Sequence, residues 1–236
     1  MAADSISLNK YISSTGICSR READKWIEAG RVTINDQVAQ KGNRVFEQDQ
    51  VCIDGIPLKD KPKLVYIALN KPPGITCTTD LEDKDNIIDF VGHPERIFPI
   101  GRLDKPSTGL IFLTNDGDIV NEILRVENHH EKEYVVKVDR PITPKFIYSM
   151  SNGIPILDTV TNRCVVRMES RFVFSIILTQ GLNRQIRRMC EFLDYKVVSL
   201  KRVRIMNVHL ANLKEGKWRN LTAEELSTLK DNLKKN

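Results

Sequence analysis

The sequence predicts an α+β protein, and three observations carry that expectation. After residue 60, strand-like runs outnumber helix-like ones; period-two alternation recurs, as in "KEYVVKV"; and before residue 57 two helix-like stretches lead into short strands. We therefore expect a small module over residues 1–60 and a larger domain, built on a largely antiparallel sheet, over residues 61–236.

In the module, Ser7 is placed to cap a first helix carrying Leu8, Tyr11 and Ile12. A second helix follows in "SRREADKWIEAG", where Ser19 and Glu22 form a capping box and Gly30 closes the helix. "RVTINDQVAQ" then alternates around an Asn35-Asp36 turn, and "QVCIDG" supplies another strand. "PLKDKPK", residues 57 to 63, is rich in Lys and Pro and reads as a linker. No internal repeat or low-complexity tract is visible.

The second domain begins with the strand "LVYIALN", which breaks at "KPPG". Further strands are expected at "GLIFLT", "KEYVVKV", "CVVRM", "FVFSIILT", "KVVSL" and "VRIMNVHL". Helices are expected at 117–125, 143–150 and 183–193, with a last one capped by Thr222 and Glu225.

Composition excludes several function classes. No apolar run approaches the ~20 residues a membrane span needs, and "MAADSISLNKY" has no charged-then-apolar leader pattern, so neither a membrane partner nor export is expected. The five cysteines are scattered and never spaced C-x-x-C, which argues against a disulfide framework or a zinc site and fits a reducing cytoplasm. His129-His130 lacks a surrounding ligand cluster, so no metal is assigned. Nothing points to a coiled coil or an obligate interface, and a monomer is expected.

Net charge is only +5, too mild to prove a nucleic-acid partner, but its distribution is uneven. Between Asn183 and Arg204, seven cations face two acids, so this strip alone matches the whole chain's excess. Arg20 and Arg21 open the second helix, where the helix dipole is already positive; an external phosphate or a solvated first turn would equally account for them. In "NRQIRRMCEFL", helical spacing puts Ile186, Met189, Cys190 and Leu193 on one face and Arg184, Arg187, Arg188 and Glu191 on the other. The basic stripe fits phosphate and carboxylate recognition better than a plain solvated face.

Two residues stay ambiguous on pattern alone. Tyr134 shares a strand face with Val136 and Val138, so it is either a core tyrosine or one facing a cleft. Asp104, before Lys105-Pro106-Ser107, has the makings of an ordinary turn former.

Resemblance goes further. The stretch from "LNKYISSTGICSRREADKWIEAG" to "VCIDG" resembles the small RNA-binding module known as the S-four domain; this implies backbone contacts to RNA from Arg20 and Arg21, and from Lys10. "LNKPPGI", "GRLDKPSTGLIFLTNDGD", "EKEYVVKV" and "TQGLNRQIRRMCE", in this order, closely resemble the pseudouridine synthases of the RsuA/RluB/RluE/RluF group. "RVENHHEKEYVV", "GIPILDTVTNRC" and "VRIMNVHL" look most like its RluF branch, which modifies large-subunit ribosomal RNA.

The resemblance implies an S-four domain joined to a catalytic domain with a central mixed, mainly antiparallel sheet flanked by helices. It implies isomerisation of a uridine in structured RNA, 23S ribosomal RNA first and transfer RNA as the alternative, without cofactor or metal. It gives Asp104 the catalytic carboxylate's place, Tyr134 the cleft tyrosine's, and Arg187 that of the arginine paired with the aspartate. Arg102 would fill the gap left by the displaced base, while Lys71, Arg184 and Arg188 would contact RNA. A non-enzymatic RNA-binding or ribosome-assembly factor is the competing reading, in which Asp104 is expendable. A methyltransferase would need a Gly-rich loop after a strand, and none is present.

Overall fold

In the computed structural model, residues 5–125 and 129–234 are described. Residues 1–4, residues 126–128 of the "RVENHHEKEYVV" motif and residues 235–236 lie outside them. The chain divides into two compact units: one runs to Leu64 and includes Pro94–Arg96, and the other comprises Val65–His93 and Ile97 onward.

The first unit contains the helices Leu8–Ser14 and Arg20–Glu28 and a four-stranded antiparallel sheet ordered Gln37–Val38, Val32–Ile34, Val51–Ile53, Ile56–Pro57. Its core joins Leu8, Ile12, Ala23 and Ile27 from the helices to Val32 and Val51 from the sheet. Ser19 Oγ accepts the Glu22 amide at 3.2 Å, as the sequence predicts, and leaves Arg20 and Arg21 exposed in the first turn. Ser7 stands at the other helix start but makes no capping hydrogen bond with its side chain. The Asn35-Asp36 turn has positive φ at both residues, 50° and 66°, the twist a two-residue hairpin requires.

The second unit is built on a nine-stranded sheet. Its main path runs Val165–Ser170, Val173–Leu178, Lys132–Val138, Val197–Ile205, Thr108–Thr114, Tyr66–Lys71, Trp218–Asn220. Two short strands join off this path: Phe98–Ile100 beside Thr108–Thr114, and Val208–His209 beside Val197–Ile205. All pairs are antiparallel except Val197–Ile205 with Thr108–Thr114, so the sheet is mixed and mainly antiparallel. Central strands are buried on both faces: Leu110 and Phe112 join one core cluster, Ile111 and Leu113 another. The helices Gly117–Leu124, Pro144–Asn152, Gln185–Phe192 and Ala223–Lys234 fall where expected, the last closed by reciprocal bonds between Thr222 and Glu225.

Two expected strands, "KVVSL" and the start of "VRIMNVHL", form one continuous nine-residue strand, Val197–Ile205. The cations between them interrupt the apolar pattern but not the ladder: Lys201 points to solvent, and Arg202 is buried. Leu193, at the end of its helix, is half-buried and packs against the core cluster of Ile186, Met189 and Cys190, as expected, and Gln185 joins the buried face.

The one parallel contact positions everything that follows. Thr108 and Gly109 pair with Lys201 and Arg202, and a side chain at Gly109 (φ 103°) would put its Cβ 2.2 Å from the Arg202 carbonyl oxygen. Only glycine lets these strands approach so closely. Tyr134 in turn pairs with Arg202, so Tyr134, Arg202 and Gly109 lie side by side across three strands. The loop carrying Asp104 enters that third strand.

Candidate active site

A cleft of about 780 Å³ opens in the second unit, lined among others by Arg102, Asp104, Lys132, Tyr134, Arg184 and Arg202. That volume suits a small-molecule or nucleotide-sized group. Asp104 sits in the loop between Phe98–Ile100 and Thr108–Thr114, about 30% exposed. Its Oδ2 accepts a hydrogen bond from Arg187 Nε at 3.3 Å, and Arg184 Nη1 lies 3.7 Å away. Arg187 is only 11% exposed and donates a second bond, from Nη2 to Ser107 Oγ at 3.1 Å. Ser107 is 1% exposed, and its amide donates to the Asp104 carbonyl at 2.9 Å. One guanidinium thus spans the ends of a single tight turn.

The turn is held from beneath. Lys71 Nζ donates to the carbonyls of Pro72, Ile75 and Lys105 at 2.9, 2.8 and 3.2 Å, and Gly74 N donates to Lys105 O at 2.8 Å. Burial lowers the Lys71 pKa, with the charges of Asp104 and Glu215 opposing, while the three carbonyls use all three ammonium protons. Lys71 is 0% exposed, which corrects the expectation that it touches RNA: an ammonium with no free surface joins the "KPPG" turn to the Asp104 loop instead. On the other side of Asp104, Cys77 Sγ accepts the Leu103 amide at 3.4 Å; burial raises the thiol pKa and keeps the group neutral.

The helix Gln185–Phe192 presents Arg187 because Gln185, Ile186, Met189 and Cys190 anchor its opposite face. Arg184 precedes it with φ 50°, an uncommon left-handed conformation for a residue with a side chain, and is 45% exposed. Arg188 does not join the cleft lining; its guanidinium donates to the carbonyl and side-chain oxygens of Asn183 at 3.0 and 3.1 Å, bracing the loop before the helix. Arg102 is exposed at the cleft. Tyr134 is half-buried, packs against two core clusters and lines the cleft. It is both a core tyrosine and a cleft tyrosine, an outcome period-two alternation could not separate.

The second unit therefore brings together Asp104, Arg187, Tyr134, Arg102 and Arg184 from segments up to 85 residues apart in sequence. Arg20, Arg21 and Lys10 belong to the first unit: the two arginines exposed, the lysine half-buried. Three cleft residues escaped sequence reasoning. Ser107 lay inside a quoted motif, three places after Asp104; Lys132 lay two before Tyr134, hence on the same strand face; Arg202 was counted in the basic strip but not as inward-facing.

Residues 65–192 match the family model described as RNA pseudouridylate synthase, more than half of the chain. The chain belongs to that family. Residues 7–51 separately match the S4, or S-four, domain model. A Salmonella typhi protein described as dual-specificity RNA pseudouridine synthase RluF is 59% identical over 224 residues, 94% of this chain and 78% of its own length. Its Escherichia coli K12 counterpart is 58% identical over 227 residues, 95% and 78% respectively. Ribosomal large subunit pseudouridine synthase B of Bacillus subtilis is 33% identical over 94% of this chain and 95% of its own. Among solved structures, one described as a pseudouridylate synthase superposes with a TM-score of 0.71 at 29% identity, over 95% of this chain and 99% of that one. This pseudouridine synthase is accordingly an RNA-modifying isomerase of the RsuA group, most like the RluF branch. No helix among its described residues is long and apolar enough to cross a membrane.

Proposed function

We propose that the chain converts a uridine of 23S ribosomal RNA to pseudouridine, with Asp104 as the catalytic carboxylate. The observation that carries this reading is the pairing of Asp104 Oδ2 with Arg187 Nε, 3.3 Å apart, in a cleft that Tyr134 also lines. In the reaction the bond from ribose C1′ to uracil N1 breaks, the base turns, C1′ bonds to C5, and the C5 proton is exchanged for one on N1. No electrons are gained or lost overall. Asp104 is the group within reach of the sugar and base, and Tyr134 stacks on the uracil. Arg187 aims the carboxylate. Arg102, exposed at the cleft, replaces the displaced base in its stack, offsetting part of an unstacking cost of roughly a few kcal/mol.

Residues 1–60 form the RNA-anchoring domain and residues 61–236 the catalytic one. Arg20 and Arg21 hold backbone phosphate at a helix start, assisted by Lys10. Arg184 and Arg188 face the strand near the cleft. The protein acts as a monomer in the cytoplasm, where its five free cysteines stay reduced. The words "dual-specificity" in the relatives' descriptions favour a second RNA substrate besides 23S ribosomal RNA, and transfer RNA is the one to test.

The decisive experiment compares Asp104→Asn with wild type on 23S and transfer RNA. Because the conversion leaves mass unchanged, it is read by carbodiimide-blocked primer extension. The variant should form no pseudouridine while binding RNA with affinity within about threefold of wild type. Turnover by contamination-free Asp104→Asn would remove the catalytic assignment. Absence of conversion by wild type on 23S RNA would remove the substrate.

A further inference from the structure

The far wall of the cleft, beyond Tyr134, holds two cations that the reaction scheme does not use. Lys132 lies two residues before Tyr134 on the same strand, and Arg202 pairs with Tyr134 from the neighbouring strand, its Cζ 5.9 Å from the ring centroid. Both line the cleft. Arg202 is 4% exposed; its Nε donates to Leu110 O at 2.6 Å, but its buried Nη2 has no partner among the described residues. The Lys132 ammonium has one long bond, 3.4 Å, to the His130 carbonyl. Neither has a carboxylate partner among the described residues, whereas Arg204 nearby on the same strand binds both Glu131 and Glu133.

Uncompensated cations brought together in a desolvated wall are unfavourable, and proteins pair or neutralise such groups. Burial, then the charge of Arg202, pulls the Lys132 pKa down to about 8. Ile100, Phe112, Ile123 and Ile205 add apolar surface to the cleft lining. An arginine edge and an ammonium together match the several oxygens of a phosphate better than a lone carbonyl.

We propose that Lys132 and Arg202 form a phosphate subsite in the inner wall of the cleft that takes a backbone phosphate of the RNA strand beside the target nucleotide. The subsite rests on the reading of this cleft as the place where the uridine is converted. Occupied, it would anchor the flipped nucleotide against Tyr134 and supply the charge the wall lacks.

The test uses a synthetic 23S RNA stem-loop first shown to be converted by wild type, with a neutral methylphosphonate replacing the phosphate either 5′ or 3′ of the converted uridine. Affinity is measured for wild type, Lys132→Met and Lys132→Arg; Lys132 is chosen because Arg202→Met would also orphan Leu110 O. Wild type should lose about tenfold at one of the two positions, Lys132→Met should lose nothing further there, and Lys132→Arg should recover the sensitivity. Equal losses in wild type and Lys132→Met at both positions overturn the subsite. Unchanged affinity but slowed conversion in Lys132→Met overturns it in favour of an action on the base. Inorganic phosphate at constant ionic strength is the second probe. If it competes with unsubstituted RNA in a Lys132-dependent way while neither methylphosphonate matters, the site takes free phosphate and the strand assignment falls. Failure of wild type to convert any RNA would instead defeat the functional reading itself.

Discussion

Replacing Arg187 should slow conversion far more than replacing Arg184, although both approach the same carboxylate. Arg187 is 11% exposed, donates to Asp104 Oδ2 at 3.3 Å and is held in place by Ser107 at 3.1 Å. Arg184 approaches only to 3.7 Å and is 45% exposed, the geometry of a surface ion pair. A shielded hydrogen bond to a charged group contributes about 1.5–3 kcal/mol, an exposed pair about 0–1 kcal/mol. At about 1.4 kcal/mol per tenfold, Arg187→Ala should cost roughly 10- to 150-fold in the chemical step, and Arg184→Ala less than about fivefold. Arg187→Lys keeps the charge but has one nitrogen where two acceptors, Asp104 and Ser107, must be met, so it should recover only part of the loss. Ser107→Ala should slow wild type about fivefold and have little further effect in the Arg187→Lys background, because the bond it removes is already absent. The assay is single-turnover pseudouridine formation at saturating enzyme. If Arg184→Ala proves slower than Arg187→Ala, or if Ser107→Ala costs the same in both backgrounds, the two-anchor account of Asp104 is wrong.

Lys71→Met should lower stability by about 1–3 kcal/mol, since the Pro72 and Ile75 carbonyls lose their donor while Lys105 O keeps the Gly74 amide; urea unfolding monitored by circular dichroism measures it. Arg20→Ala with Arg21→Ala should weaken RNA binding and make its logarithmic salt dependence shallower by about one unit per lost phosphate contact, so an unchanged slope would return both arginines to the solvated surface. Arg219 binds both oxygens of Glu225 at 2.7 Å and holds its carboxyl below the usual range. That stability is fully present above the unfolded value near ~4.3 and is lost as pH falls through the lower folded value, so the gap of about 1 kcal/mol to Glu225→Gln should be constant above pH ~5 and close in acid. Lys132 gives a slope of the same sign at higher pH: with its folded pKa lowered to about 8, the native state binds fewer protons than the unfolded chain between pH 8 and ~10.4. RNA-free stability should therefore gain a rising contribution across that window, which Lys132→Met abolishes while being the more stable protein at pH 7.

What was legible followed from local signals. Ser19, Thr222 and Glu225 announce helix starts because capping is a contact of three residues' reach, and the Asn35-Asp36 hairpin needs only its own two positive φ angles. Lys71 was misread for the converse reason. A lysine after an apolar strand looks solvent-bound, and its three acceptors come from a turn beside it and a loop 34 residues on, which no pattern announces. Arg202 breaks an apolar run, so pattern reading split one strand in two; the ladder tolerates it because Leu110 O receives its Nε. Tyr134 was ambiguous in principle, since the side of a strand that meets core can also meet a cleft.

The basic strip from Asn183 to Arg204 makes the same point about charge. Its seven cations suggest a broad attractive surface, but the fold distributes them among unlike tasks. Arg187 is committed to Asp104 and Ser107, Arg188 to Asn183, and Arg204 to Glu131 and Glu133. Lys196 and Lys201 are exposed, Arg184 is half-committed at 3.7 Å from Asp104, and Arg202 is walled in. Long-range attraction of a polyanion depends on charge free to face it, so the strip draws RNA less strongly than its count implies. Within the cleft Asp104 lies beside Arg184 and Arg187, while Lys132 and Arg202 have no carboxylate partner among the described residues. A reacting nucleotide carries both a neutral base and a charged backbone, and under the proposed reading a site that separates its own charges in this way would hold the backbone without drawing it onto Asp104.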